Sequence, residues 1–481
     1  MEFIITIGLE IHAQLLTESK MFCRCPNNYG DIPNRNICPV CLGYPGILPV
    51  PNEKALEHAL KLGFATKSRI EEIAYFARKN YFYPDLPKGY QITQYENPIC
   101  TDGKLKVPRD KGEHFEVRIR RIHLEEDAGK NFHPENEQDE GISYIDYNRG
   151  GIPLVEIVTE PDLHSGEEAY LFLNKLKQLL EYLEVCSGDM EKGALRCDVN
   201  IDVARNEKEH GVIVEIKNMN SFSNVRKAID YEAQRQIDML EKGEMIFKET
   251  RTWDERISET RLLRRKEKAE DYRYFPEPDL IPVRISDELK KIVKENMPAL
   301  PSEIEETFKR EYNLSDYISS ELLASKQLSQ FYVEGAAITE YKKELANWLL
   351  VEYLRVIKEK NLDIRNPAIG PADLVELVEL ACRGEISQAT GKEILPLMAE
   401  TGKKAKEIVE EKGLKQISDK SFIRELVINA VEGNPKVKEQ YISGKEAVYG
   451  FFIGQVMKAT KGKADPSIID ELLKEYLSSL K

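Results

Sequence analysis

The sequence predicts an α+β protein, with a large domain on one mixed or antiparallel sheet followed by an all-helical portion. Three observations predict it. Runs with strand-like alternation recur through residues 1–285, separated by a few long amphipathic helices. The stretch "ENMPALPSE", with Pro298 and Pro301, reads as a linker. Beyond it the strand signal nearly vanishes and helical periodicity takes over.

Taken in order, the strand-like runs are "IITIGLEIHAQL", "FEVRIRRIHL", "YIDYNR", "LVEIV", "LRCDVNIDV" and "VIVEIKNMN". Helices are expected over "GEEAYLFLNKLKQLLEYL" and "NVRKAIDYEAQRQIDMLEKG", where apolar residues return every third or fourth position. After the linker, "ELLASKQLSQFYVEGA", "KELANWLLVEYLRVIKEK" and "PADLVELVELACRGEIS" repeat that spacing between Gly and Pro breaks. Shorter helices follow from Gly413, among them the apolar "GKEAVYGFFIGQVMKATKGKA". The expected domains are residues 1–295, 296–408 and 409–481. A chain of 481 residues, 41% hydrophobic, is long enough to bury two or three ordinary cores.

The net charge of −14 excludes nucleic-acid binding by the surface at large, so any RNA contact must use local basic patches. No apolar stretch approaches a bilayer span, and the N-terminus lacks the basic-then-apolar layout of a signal peptide. A soluble, cytoplasmic protein without membrane contact is expected. A charged fraction of 32% suits a heat-tolerant surface.

Four of the eight cysteines crowd together in "CRCPNNYGDIPNRNICPVC", as Cys23, Cys25, Cys38 and Cys41. Two close pairs across a loop rich in Pro, Asn and Gly are a zinc-knuckle arrangement, since each pair can offer two thiolates to one tetrahedral ion. A closed four-thiolate shell leaves no open position, so the expected Zn²⁺ is structural.

Acidic residues gather at three places. In "GLEIHAQL", Glu10 and His12 are two apart between Leu9 and Ile11, so a strand would point both the same way. In "RRIHLEEDAGK", Glu125 and Glu126 follow a run whose apolar positions change phase. Val117 and Ile119 are odd-numbered, Ile122 and Leu124 even-numbered. That change implies a bulge near Arg120, turning His123 and Glu125 to the polar face. Glu215 sits between Val214 and Ile216 in "VIVEIKN". Carboxylates and a histidine on polar strand faces suit Mg²⁺, and Mg²⁺ suits phosphoryl transfer. The plain alternative is that each acid only solvates its strand. The chain carries neither a P-loop nor a Rossmann glycine fingerprint, so any use of ATP needs another scaffold.

Between residues 78 and 279, the strings "ARKNYFYPDLPKGYQITQ", "RIHLEEDAGK", "DYNRGGIPLVEIVTEPD", "RCDVNI", "VEIKNMNSF" and "DYRYFPEPDL" occur in order. With "GLEIHAQL", they resemble the B-subunit family of the aspartyl/glutamyl-tRNA amidotransferases. The resemblance runs through the whole chain and is looser in the helical part, whose end looks like a YqeY-type tail. It implies a glutamine-synthetase-like cradle, where ATP phosphorylates the side-chain carboxylate of glutamyl-tRNA(Gln) or aspartyl-tRNA(Asn). Ammonia then displaces the phosphate to leave the amide, so the chain would belong to a C–N ligase with glutamine as donor.

By position, the resemblance makes Glu10, His12, Glu125 and Glu215 the metal and catalytic residues. Glu126 is an alternative to Glu125, and His12 could instead orient substrate or ammonia. It also points to Lys79, Tyr81, Tyr83, Lys88 and Gln91, lysines suiting phosphate oxygens and tyrosines suiting stacking on adenine or a terminal RNA base. Asn148 and Arg149 precede two glycines, and Arg149 has the fork to hold a carboxylate or phosphate. A helical basic face of Arg261, Arg264, Arg265, Lys266 and Lys268 could meet the acceptor stem. Lys392, Lys403, Lys404, Lys406, Lys458, Lys461 and Lys463 are candidates for the outer corner of the tRNA.

Glutaminase chemistry needs an activated nucleophile, and no amidase serine signature occurs. Cys186 and Cys197 read as core. The resemblance supplies ammonia from the amidase, or A, subunit, with a small C subunit tying the complex together. An extra domain inserted after the cradle, as in the archaeal paralogue, has no room before the linker. Two further readings stand beside this one, an amide ligase acting on free glutamate and a zinc-stabilised tRNA-binding protein without chemistry.

Overall fold

The computed structural model describes residues 3–480 apart from 29, 110–112, 133–141, 207–208, 210, 266–271, 418 and 461, and of Arg265 the backbone alone. The chain forms two compact units, Met1–Pro301 and Ser302–Lys481. Among the described residues, no helix is long and apolar enough to cross a membrane.

Nine strands make the main sheet of the first unit. They are β1 (Ile4–Gln14), β2 (Arg69–Ile70), β3 (Cys100–Pro108), β4 (His114–Glu126), β5 (Pro153–Thr159), β6 (Leu195–Ala204), β7 (Val214–Met219), β8 (Glu249–Asp254) and β9 (Glu259–Arg265). They lie in the order β9-β8-β7-β6-β1-β5-β4-β3-β2. Every pairing is antiparallel except β7 with β8. The helices α1 (Glu53–Ala65), α2 (Gly166–Tyr182) and α3 (Phe222–Glu241) supply apolar side chains to the core of this sheet. Each starts on a side-chain cap that accepts free backbone N–H groups of the first turn, from Asn52, Ser165 and Ser221.

Opposite Val158 and Thr159, β4 steps from Arg121 to Ile119, so Arg120 is the extra residue of a bulge. Before it Val117 and Ile119 are buried, after it Ile122 and Leu124, and His123 and Glu125 take the other face.

Two stretches depart from expectation. In "YIDYNR" the strand is Tyr144–Asp146 alone, and the chain then turns through Gly151 at φ 86°, a left-handed conformation that glycine adopts without steric cost. The segment expected to carry a helical basic face is instead the edge strand β9. Thr260 is buried opposite Trp253 in the β8 ladder and accepts from Arg251 Nε at 2.8 Å, so the ladder holds the segment as a strand. Arg261 is spent on Asp254 at 3.3 Å, and Lys266 and Lys268 lie outside the described residues.

The second unit is helical, as expected. "KELANWLLVEYLRVIKEK" is Lys342–Asn347 and Leu354–Glu359 joined through a π-helical turn, Trp348–Tyr353. Lys420–Glu432, Tyr449–Ala459 and Pro466–Ser478 enclose a core of their own, with Ile423, Val427, Phe452, Val456, Ile469 and Leu473 at its centre.

Candidate functional site

Along β1, Ile7, Leu9, Ile11 and Ala13 are buried in the core, so Glu10, His12 and Gln14 share the opposite face. Neighbouring strands add to that face in register. Glu10 lies opposite Asp198 of β6, and Asn200 of β6 lies opposite Glu215 of β7. His12 lies opposite Glu156 of β5, which in turn lies opposite His123 of β4, two residues before Glu125. Two donor sets result. Glu10, Asp198 and Glu215 bring one oxygen each within 4.8 Å of one another, and His12, Glu125 and Glu156 do the same with a ring nitrogen and two oxygens.

Within each set a cationic group meets the carboxylates. His12 Nε2 is 3.3 Å from Glu156 Oε2 and 3.4 Å from Glu125 Oε1. Burial opposes a charge on the ring, but these two carboxylates outweigh it and hold His12 up to about 9. Burial likewise opposes ionisation of Glu156, which His123 at 3.3 Å and His12 nonetheless keep well below the usual carboxylate range. In the other set Lys217 bonds Asp198 and lies 3.2 Å from Glu215 Oε1. Those charges overcome its burial and raise it above an ordinary lysine. Asn200 donates to Glu10 Oε1 at 2.9 Å, and Thr250 to Glu215 Oε2 at 2.8 Å, so neither carboxylate is free to turn.

His12, Glu125, Asp198 and Lys217 line a cleft of about 960 Å³, together with Lys79, Tyr81, Gln91, Arg149 and Arg196. Lys79 lies 5.0 Å from the centre of the Tyr272 ring and 5.9 Å from that of Tyr81. Burial opposes its charge, and Tyr274, Glu125 and Glu156 outweigh the burial. Tyr83 is 54% exposed and meets Tyr81 edge-on. Arg149 is turned onto backbone, giving Nε to Ala128 O at 2.9 Å and Nη2 to Gly129 O at 2.6 Å. It holds the turn more than it faces the cleft.

Glu126 and Lys88 are placed elsewhere. Being next to Glu125 on the strand, Glu126 points to the opposite face, where it accepts from Lys88 and from the Ile92 N–H at 3.0 Å. This buried pair lies beside Phe22, Cys23 and Cys41, away from both donor sets. Glu125 is therefore the one of the two that faces His12.

Cys23, Cys25, Cys38 and Cys41 converge with their sulfurs within 4.8 Å of one another, and Cys38 and Cys41 are 3.9 Å apart. Four thiolates around a tetrahedral Zn²⁺ stand roughly 3.8 Å apart, so the donor set fits that ion. The hydrogen bond from Cys23 and the nearby Lys20 ammonium pull the Cys41 thiol down to about 5, while Cys23 is raised by the same hydrogen bond. Lys20, almost fully buried, gives Nζ to Cys41 Sγ at 3.8 Å and to Tyr147 O at 3.1 Å. Asn36 N–H donates to Asn148 at 2.8 Å, and Asn148 to Ile32 O at 2.8 Å. The cysteine loop is thus stitched to the turn that carries Arg149.

Comparison with known proteins sets this geometry in a family. The GatB/GatE catalytic domain matches residues 5–291, and the GatB domain matches residues 330–477. The chain is 50% identical over 478 residues to the B subunit of an aspartyl/glutamyl-tRNA(Asn/Gln) amidotransferase from Thermodesulfovibrio yellowstonii, covering 99% of this chain and 100% of that one. It is 47% identical over 480 residues to the protein of that name from Persephonella marina, covering 99% and 100%. Against the one from Thermotoga sp. strain RQ2 it is 49% identical over 475 residues, covering 98% of each. The chain belongs to the GatB/GatE family.

In this GatB/GatE member, sequence reasoning passed over Asp198 and Glu156. Each carried a usable signal. Glu156 stands between buried Val155 and Ile157, the pattern that singled out Glu215, and Asp198 between buried Cys197 and Val199. Cys186 and Cys197 are buried, and burial pushes both thiols up, Cys186 to about 11, which suits core residues and no nucleophile. Of the lysines in the helical unit, Lys392 pairs with Glu352 at 2.6 Å, Lys403 with Glu411 at 2.6 Å and Lys406 with Glu376 at 3.7 Å. Lys463 donates to Gly413 O at 2.5 Å, and Lys461 lies outside the described residues. Lys404 and Lys458 are exposed.

Proposed function

We propose that this chain is the tRNA-dependent, ATP-using subunit of an amidotransferase, acting on glutamyl-tRNA(Gln), aspartyl-tRNA(Asn) or both. The observation that carries the reading is the pair of donor sets on one face of the sheet, of which His12, Glu125 and Asp198 line a cleft with Lys79 and Arg196. A carboxylate is a poor acceptor for ammonia, and an acyl phosphate offers a good leaving group. The site therefore has to hold a triphosphate and a carboxylate together, two anions in an acidic cleft. Glu10, Asp198 and Glu215, and beside them His12, Glu125 and Glu156, are the donors for Mg²⁺, which when bound neutralises charge on the phosphates. Lys79 adds a point charge for a phosphate oxygen, and Tyr81 and Tyr83 offer ring faces to a base. Lys217, bonded to Asp198, keeps the first donor set together.

Zn²⁺ on Cys23, Cys25, Cys38 and Cys41 braces the loop stitched to Asn148 and Tyr147, a structural role. The glutaminase step belongs to the amidase, or A, subunit joined through a small C subunit, because the buried thiols here are unfit as nucleophiles. The first unit is read as a glutamine-synthetase-like cradle for the acceptor end. The last part, 409–481, is read as a YqeY-like tail for the outer corner, after a helical domain over 296–408. Such a translation enzyme works in the cytoplasm.

The test is phosphate release from ATP by the assembled complex, with glutamyl-tRNA, with uncharged tRNA and with free glutamate. Release with the charged tRNA alone is expected. Release with free glutamate would make the chain a glutamine-synthetase-like ligase. No release in any mixture, with metal and partners present, would leave a binding protein.

A further inference from the structure

The cations around the cleft are committed in different degrees. Lys217 is held by Asp198 and Glu215, Arg149 by two backbone carbonyls and Lys192 by Asp189. Lys79 lies against the Tyr81 and Tyr272 rings, and Lys130 against that of Phe132. Arg196 differs from all of them. Its Nη2 sits 3.0 Å from Asp127 Oδ2, the one ion pair of its guanidinium among the described residues, with Glu125 and Asp198 acting on it at longer range. Its Nε is buried without an acceptor, yet the side chain as a whole is 39% exposed and lines the cleft.

Its position is as telling as its free donors. Arg196 lies opposite His12 in the β1–β6 ladder and two residues before Asp198, so it stands between the two donor sets. Asp127, only 4% exposed, is fixed in turn by Gln14 Nε2 at 3.0 Å and by Arg149 at 3.8 Å. Nη2 is thereby anchored on Asp127, and the exposed part of the side chain lines the cleft. A planar fork held at one edge is the arrangement that receives a carboxylate.

The chemistry of the cleft creates the need. A substrate carboxylate entering beside Glu125, Asp127 and Asp198 is repelled unless a cation meets it. We propose that Arg196 receives the side-chain carboxylate of the aminoacyl group on the charged tRNA, with Asp127 and Gln14 as the residues that position it. The assignment rests on the amidotransferase reading above and adds the residue that tells charged tRNA from uncharged.

The experiment uses the complete complex with Arg196→Gln and Arg196→Lys. It measures phosphate release against charged-tRNA and ATP concentration, and the ratio of Kd for uncharged to charged tRNA without ATP. Arg196→Gln is expected to lower kcat/KM for charged tRNA by about 10- to 100-fold, the loss of a charge-assisted pair, and to bring the Kd ratio to about 1. The KM for ATP should stay within about twofold. Arg196→Lys keeps a charge against Asp127, so it folds if Gln does not, and should recover part of the loss because an ammonium lacks the fork. Both variants keeping the wild-type Kd ratio and kcat/KM would overturn the assignment, whatever happens to their melting temperatures. So would a raised KM for ATP with an unchanged Kd ratio, which would put the guanidinium on the nucleotide. If the wild-type complex itself releases phosphate without regard to charging, the amidotransferase reading falls and takes this assignment with it.

Discussion

Glu125 and Glu126 are adjacent acids with opposite duties, because a strand sends consecutive side chains to opposite faces. Glu125 faces His12 in the cleft, and Glu126 is buried against Lys88. Glu125→Ala should cut acyl-phosphate formation by about 10³-fold with tRNA affinity unchanged within twofold, as charge-stabilising groups at phosphoryl centres typically behave. Glu126→Gln should instead cost stability, about 3–5 kcal/mol for one broken partner of a buried pair. Retained phosphate release in the Glu125 variant would refute its place in the site. Asp127 sets a pH signature of its own. Burial opposes its ionisation, but Arg196, Arg149 and Gln14 hold the carboxyl below its ordinary value. A depressed native pKa stabilises the fold above the unfolded pKa of about 3.9 and is lost as pH falls through the lower, native value. Asp127→Asn should therefore be less stable than wild type near pH 7, with the gap closing below about pH 4 in urea denaturation. A gap that stays constant with pH would show that the carboxylate is not held by these cations.

At the scale of elements, the bulge at Arg120 decides what β4 presents. Deleting Arg120 moves the register by one residue, sending either Val117 and Ile119 or His123 and Glu125 to the wrong face. The deletion variant should fail to fold or lose divalent-cation binding, and a folded variant with normal binding would contradict the register. The cysteine loop gives a second prediction. Cys23→Ser with Cys41→Ser should lose one equivalent of zinc and lower the melting temperature, with the kinase step intact in the folded fraction. An unchanged melt with no zinc in wild type would sink the structural-zinc assignment. Both features were legible because they are local, a phase change in one strand and a spacing of four thiols. The Glu10–His12 face was legible for the same reason. The misreading of β9 came from the same local reasoning, since "RLLRR" fits helix or strand and only the β8 ladder chooses between them. Lys88 was read as a ligand group because its partner, Glu126, is 38 residues away in sequence and on the buried face. Glu156 and Asp198 join the site through cross-strand register, which no single segment reveals.

For the whole molecule, a chain of net charge −14 has to bind a polyanion, so tRNA contact depends on a few unpaired cations. In the helical unit most candidate lysines are spent within the chain, on Glu352, Glu411, Glu376 and the Gly413 carbonyl. Among the described candidates, Lys404 and Lys458 are exposed and remain for phosphate. Changing both to alanine in the intact complex should weaken charged and uncharged tRNA alike, since phosphate contacts carry no information about the aminoacyl group. The slope of log K against log salt should fall by about 2, one for each lost contact. Phosphate release at saturating charged tRNA should be unchanged, because the cleft chemistry lies in the first unit. The opposite pattern, a lost preference for charged tRNA with an unchanged salt slope, would mean that these lysines act through the cleft and that the helical unit is no separate reader of the tRNA.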